Sequence, residues 1–130
     1  MESLNIKQTH ITPLVCFDIE KNLFELSEIS QPENAEDFYV NIINWLKEFK
    51  EKHIELRLVK QLTINFKLEY YNTASIKYIA ELMKIFKSFI EHDVDMVINW
   101  YYLEGDEEAF EDGMDISFAI DVPFNFISHT

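Results

Sequence analysis

The segment from Gln61 to Ile90 changes its period once, and that change constrains the fold more than any other feature of the chain. In "QLTINFKLEY" apolar and polar residues alternate: Leu62, Ile64, Phe66, Leu68 and Tyr70 share one face, while Thr63, Asn65, Lys67 and Glu69 share the other. A period of two is a strand with one buried face. From Ile76 the apolar residues recur at helical spacing, through Ile79, Ala80, Met83, Phe86 and Ile90, with Lys77, Glu81, Lys84 and Lys87 outside the stripe. A strand that feeds directly into a long amphipathic helix is half of a crossover, and a crossover needs a parallel strand to return to.

The rest of the chain supplies that context. "TPLVCFDIEKNLFELSE" reads as two short strands with a turn over Asp18 to Asn22, hence a hairpin. In "ISQPENAEDFYVNIINWLKEFKEKH" the residues Phe38, Ile42, Trp45, Leu46 and Phe49 make a second helical stripe, with Asn34 placed to cap it and Asp37 near its positive end. "VDMVINWYYL" alternates again through Val94, Met96, Ile98, Trp100 and Tyr102. "GDEEAFEDGM" reads as a short acidic helix or loop, and "DISFAIDVPFNFI" as an apolar tail that packs. The order hairpin, helix, strand, helix, strand, short helix, tail predicts an α/β fold: a small mixed sheet, antiparallel at the hairpin and parallel beyond it, with helices packed against it.

Composition narrows the function. A chain of 130 residues with 48 % hydrophobic residues fits one domain over 1–130 with a real core. The formal charge of −13 opposes binding to nucleic acid or to an acidic membrane surface, and favours a basic protein partner. No apolar run has the length of a membrane helix or the form of a signal peptide, and one cysteine, Cys16, allows no internal disulfide, so a reducing cytoplasm is expected. Cys16 sits in an apolar strand and reads as a buried, inert thiol. The two glycines, Gly105 and Gly113, are too few for any phosphate-cradling loop. His10, His53, His92 and His129 form no spaced pair, and the acids of Glu104 to Asp115 do not follow a calcium-loop pattern. They read as a solvated helix start with Asp106 as its cap. No metal, cofactor or catalytic residue is expected.

At the joint of strand and helix stand Asn72, Thr73, Ala74 and Ser75. Either Asn72 or Thr73 serves as an N-cap, a contribution of about 1 kcal/mol that nearly every helix has. The same geometry also permits a switch. Free amides and the positive end of the dipole would meet a phosphate on Thr73 or Ser75, which adds about −1.5 to −2 charge. In an open α/β sheet this end of the strands is the usual place for a site.

The blocks "TPLVCFD", "SQPENAEDFY", "FKLEYYNTASIK", "INWYYLEGDEE" and "PFNF" occur in one order along nearly the whole chain. In these the chain resembles the SiaC-type regulatory phosphoproteins of bacteria, whose fold is similar to the STAS domain of anti-sigma-factor antagonists. The resemblance implies a non-enzymatic protein phosphorylated on the threonine of its Asn-Thr pair, here Thr73. It implies a serine/threonine kinase of the histidine-kinase-like ATPase fold, a PP2C-type phosphatase, and a downstream partner such as a diguanylate cyclase that the unmodified form binds and activates. Two positions depart from the family pattern. Ala74 stands where a serine is common, and Glu28 where a glycine is common.

On this reading Asn72 holds the acceptor loop, and Ser75 and the amides around Ile76 line the helix start. Tyr71 and Lys77 flank the docking surface, and Pro32, Glu33 and Asn34 lie near it. A rival reading from another class is a small-molecule or nucleotide-sensing domain that uses the same helix N-terminus as an anion pocket. A small hydrolase is a third, without a recognisable nucleophile and base.

Overall fold

The computed structural model describes every residue from Met1 to Thr130. Six strands form one sheet in sequence order: β1 (Leu4–Ile6), β2 (Leu14–Asp18), β3 (Leu23–Ser30), β4 (Gln61–Tyr71), β5 (Asp95–Leu103) and β6 (Asn125–His129). The β1–β2 and β2–β3 pairs are antiparallel, and the remaining three are parallel. Helices α1 (Ala35–Phe49, continued by a wider π turn over Lys50–Ile54), α2 (Thr73–Ile90) and α3 (Glu107–Ile120) fill the three crossovers. Every crossover moves one strand onward in the same direction, so the right-handed rule places all three helices on one face. They pack side by side there, α1 on α2 and α2 on α3.

One-sided cover explains why parallel strands, usually continuous apolar runs, alternate here. On the covered face lies a single core of 27 buried residues. Its aromatic rings stack across strands, with Phe17 on Phe24 at 4.8 Å and Phe66 on Trp100 at 4.1 Å. The uncovered face carries a polar row in register across β3 to β6: Glu25, Asn65, Asn99 and Asn125. Each asparagine Nδ2 donates to the oxygen of its neighbour, Asn125 to Asn99 (3.0 Å), Asn99 to Asn65 (2.8 Å) and Asn65 to Glu25 (2.8 Å). Cys16 also lies in this face, opposite Asn5 and Glu25, and is half-exposed rather than buried.

The hairpin, α1, β4, α2 and β5 fall where the pattern puts them. Three features differ. Strand β1 is too short for its alternation to stand out. The acidic segment is not a short helix followed by a tail: α3 runs on through "DISFAI", and only Asn125–His129 forms the last strand. Gly113 is what obscures that helix, and the structure shows its use. A Cβ at Gly113 would sit 2.7 Å from Trp100 Nε1, and this nitrogen donates to the Ala109 carbonyl of α3 at 3.0 Å. The helix therefore rides directly on the indole.

The third difference concerns which tyrosine faces the core. Leu68 pairs with Glu28, but Tyr70 pairs with Ile29, so Glu69 is an extra residue and β4 bulges. A bulge reverses the alternation beyond it. Tyr70, read as inward, is 52 % exposed. Tyr71 instead turns its ring onto Phe66 and Trp100. Opposite the bulge Glu28 adopts φ = +76°, a conformation that glycine enters freely and other residues enter at a cost. A glycine at this position would meet the same turn without that cost.

Two stability outcomes follow. Gly113→Ala is expected to lose about 1–3 kcal/mol through overpacking against Trp100, read by urea denaturation with tryptophan fluorescence. Glu28→Gly is expected to gain about 1 kcal/mol in the same measurement, as left-handed strain is relieved; an unchanged urea midpoint would show that the bulge tolerates a side chain without strain.

Candidate functional site

The N-termini of α1, α2 and α3 all lie at the C-terminal ends of the parallel strands, and each has a side-chain cap. Asn34 Oδ1 accepts from Asp37 N at 3.1 Å, Asn72 Oδ1 from Ser75 N at 2.9 Å, and Asp106 Oδ1 from Ala109 N at 3.1 Å. Asn72 is thus the cap of α2 and Thr73 its first residue. The Ser75 amide is taken by the Asn72 side chain and the Ile76 amide by the Asn72 carbonyl at 3.2 Å. The donors left free at this helix start are those of Thr73 and Ala74, one turn earlier than the amides around Ile76.

Beneath the helix start lies a buried hydrogen-bond knot. Ser75 Oγ donates to the Ser30 carbonyl at 3.0 Å, and Ser30 Oγ donates to Ser75 Oγ at 2.8 Å. The Tyr39 hydroxyl stands 2.6 Å from Ser30 Oγ. With the Ser30 hydrogen committed to Ser75, Tyr39 is the donor. The Asn72 amide donates to the same Ser30 carbonyl at 3.0 Å. Ser30, Tyr39 and Ser75 are all fully buried, and no buried side-chain polar atom lacks a partner. Burial pushes the Tyr39 hydroxyl up to about 12, against a smaller opposing effect of its serine partners. Ser75 therefore sits in the interior and has no surface to offer a partner; it holds the site from below.

Thr73, Ala74 and Lys77 are exposed, and Asn72 is half-buried. The Thr73 hydroxyl takes no part in the bonds of the knot or the cap. Lys77 stands one turn further along α2, on the Thr73 side. Ala74 also faces solvent, so the absence of a serine hydroxyl there leaves nothing unpaired. Thr73 opens onto a groove of about 260 Å³ between the end of β4 and the first turns of α3. Glu69, Asp106, Glu108 and Asp112 line it. Tyr71 forms part of the wall, donating its hydroxyl to Asp112 Oδ2 at 2.7 Å. Burial first, then the bond to Asp112 and the charges of Asp112, Asp106 and Glu108 raise the Tyr71 pKa, and the four carboxylates give the groove negative potential. Tyr70 reaches the same groove from the outer side.

Pro32, Glu33 and Asn34 follow Ser30 at the end of β3, beside β4 and the Asn72 turn. Pro32 is buried, Glu33 exposed, and Asn34 is both exposed and engaged as the α1 cap. Ser30, Tyr39 and Asp112 carry as much of the geometry as the residues read from sequence. Only the register of β3 on β4 and the packing of α1 and α3 bring them in, and no local pattern marks them.

Residues 6–129 match the family described as SiaC family regulatory phosphoprotein. An uncharacterized protein of Pseudomonas aeruginosa (strain UCBPP-PA14) is 22 % identical over 129 residues, 99 % of this chain and 98 % of that protein. Apo-SiaC from Pseudomonas aeruginosa shares the fold with a TM-score of 0.78 at 20 % identity, covering 100 % of both chains. The crystal structure of the diguanylate cyclase SiaD in complex with its activator SiaC gives 0.83 at 22 % identity, covering 97 % of this chain and 99 % of the matched one.

The knot generates its own prediction. Ser75→Ala leaves the Ser30 hydroxyl without its acceptor and is expected to lose about 1–3 kcal/mol in urea denaturation, more than Thr73→Ala, which removes no buried bond. Tyr39 adds a pH signature. Its folded pKa of about 12 lies above the ordinary value of about 10, so its contribution is complete below pH ~10 and disappears as pH rises from ~10 to ~12. Tyr39→Phe is expected to flatten the fall in stability over that range, measured by the urea midpoint against pH.

Proposed function

The chain belongs to the SiaC family of regulatory phosphoproteins, and from that premise we propose that it is a single regulatory domain switched by reversible phosphorylation of Thr73. The observation that carries the reading is the division of labour at the start of α2. Thr73 is exposed with a free hydroxyl, directly above a buried knot that fixes its position without using it. A serine/threonine kinase reaches such a hydroxyl without unfolding the helix, and a PP2C-type phosphatase reaches the phosphate. The protein itself is a substrate and a binding module, not an enzyme, and works in the cytoplasm; none of its helices is long and apolar enough to cross a membrane. Its downstream partner is a diguanylate cyclase, by analogy with the SiaC that activates SiaD.

In the unmodified state the partner docks over Thr73, Asn72, Lys77 and the neighbouring Glu33 and Asn34. Phosphate on Thr73 meets the free amides and Lys77 on one side and four carboxylates on the other. The same carboxylates argue against a nucleotide or other anionic ligand in this groove.

Intact-mass analysis of protein from its native host should show a species heavier by one phosphate, mapped to Thr73. Calorimetry with the cyclase should give near wild-type affinity for Thr73→Ala and a loss of roughly a hundredfold for Thr73→Asp, since an unpaired charge buried at an interface costs several kcal/mol. The phosphorylated protein should bind more weakly still. Equal affinity of all four forms, each shown folded by circular dichroism, would leave Thr73 as an ordinary first residue of a helix.

A further inference from the structure

The outer face of α3 carries two parallel rows at a spacing of four residues. Phe110, Met114 and Phe118 form an apolar row, and Glu107, Glu111 and Asp115 form an acidic row beside it. Exposure rises along the apolar row. Phe110 is anchored, its ring stacked on Phe126 of β6 and set edge-on to Tyr102. Met114 is 47 % exposed and Phe118 is 89 % exposed. A phenylalanine held that far into water on a well-formed helix contributes almost nothing to the core; its burial is left for something else. At the N-terminal end of the row an open hollow of about 400 Å³ is floored by Phe110 and Tyr102 and rimmed by Glu107 and Glu111. An aromatic floor with a carboxylate rim is the surrounding that a lysine or arginine side chain prefers. Helix α3 contains no basic residue.

The geometry points to this face as a second docking surface, whose occupant is a basic amphipathic helix of a partner protein. Its apolar stripe would lie along Met114 and Phe118, its lysines or arginines along the acidic row, and one cation would enter the hollow. A second copy of this chain fits poorly, because its own acidic row would be brought against this one. The apolar row lies on the side of α3 away from Glu108 and Asp112 of the groove, and the hollow shares with that groove only the cap residue Asp106. It does not depend on phosphorylation of Thr73.

The test uses the intact protein and a synthetic helical peptide with leucine at every fourth position and lysine or arginine flanking each leucine. Binding is read by fluorescence anisotropy. The peptide should bind wild type saturably, and weaken by about tenfold or more on Phe118→Ala, the loss expected of a central aromatic anchor. It should also weaken on the double change Glu111→Gln with Asp115→Asn, and as salt is raised. The same peptide with glutamate in place of its basic residues should not bind. Thr73→Asp should bind the basic peptide as wild type does, which separates this surface from the switch. Because Phe118 stands in solvent, Phe118→Ala should keep its circular dichroism and urea midpoint, so lost binding would not be lost folding. Equal binding by Phe118→Ala, or by the acidic peptide, would overturn the proposal. So would sedimentation velocity showing a dimer of the protein that Phe118→Ala dissolves, since the occupant would then be a second copy.

Discussion

The buried knot of Ser30, Tyr39 and Ser75 is the contact on which the site depends. It ties the last residue of β3, the first turns of α1 and the first turn of α2 at a single point, with the Ser30 carbonyl accepting from both the Asn72 amide and the Ser75 hydroxyl. Buried hydroxyls are costly when unpaired and directional when paired. Here every one is paired, so the arrangement works as a locator: α2 has one way to begin, and Thr73 has one place to stand. Apolar packing alone would hold the helix against the sheet yet leave its start free to slide or fray by a residue.

The second constraint is that all three helices lie on one face. The covered face absorbs most of the aromatic residues, and the other is finished by the asparagine row rather than by a second layer. With three crossovers stepping the same way, the three helix starts gather at one end of the sheet, and adjacent starts build the groove between them. Helix α3 is held close by Gly113 on Trp100 and by Asp112 on Tyr71. One flank of that helix closes the groove beside Thr73, and its outer flank displays Met114 and Phe118. The scarcity of glycine is consistent with this economy. One of the two makes the turn before α3 at φ = +89°, and the other lets α3 sit on the indole.

Much of this was legible in the sequence, for a physical reason. A strand with one buried face and a helix with one buried stripe both write their burial into a local period, so β2 to β5, α1 and α2 could be read directly. Asn34 and Asp106 are local caps and were readable in the same way, while at α2 the sequence left the cap between Asn72 and Thr73 and the structure gives it to Asn72. Other features come from long-range fit and were not. The bulge at Glu69 arises between β3 and β4, reverses the parity of the strand and exchanges Tyr70 for Tyr71. The length of α3 was hidden because Gly113 looks like a breaker until Trp100 is seen beneath it. Ser75 looked like a surface residue of the helix start because Asn72 three residues earlier explains its amide. Its hydroxyl is drawn inward by Ser30, a residue 45 positions away.

The knot also constrains how a phosphate on Thr73 can act. Ser75 faces the core and Thr73 faces the groove, so a modification at the second would leave the bonds of the first untouched, and unfolding of the helix is a poor mechanism for the proposed switch. Charge by itself is a poor mechanism too. The groove already holds Glu69, Asp106, Glu108 and Asp112, and further negative charge would strengthen its attraction for a basic partner. Under the proposed switch, phosphorylation would release a partner only if the contact over Thr73 is dry. The exposed ring of Tyr70, on the same groove, fits such a contact: an apolar centre beside the hydroxyl, with acidic groups around it. A dianion brought into that centre must lose its water, a cost that a neutral contact does not repay. The partner's basic groups would lie at the rim, where they guide encounter, while the neutral centre decides whether the complex lasts.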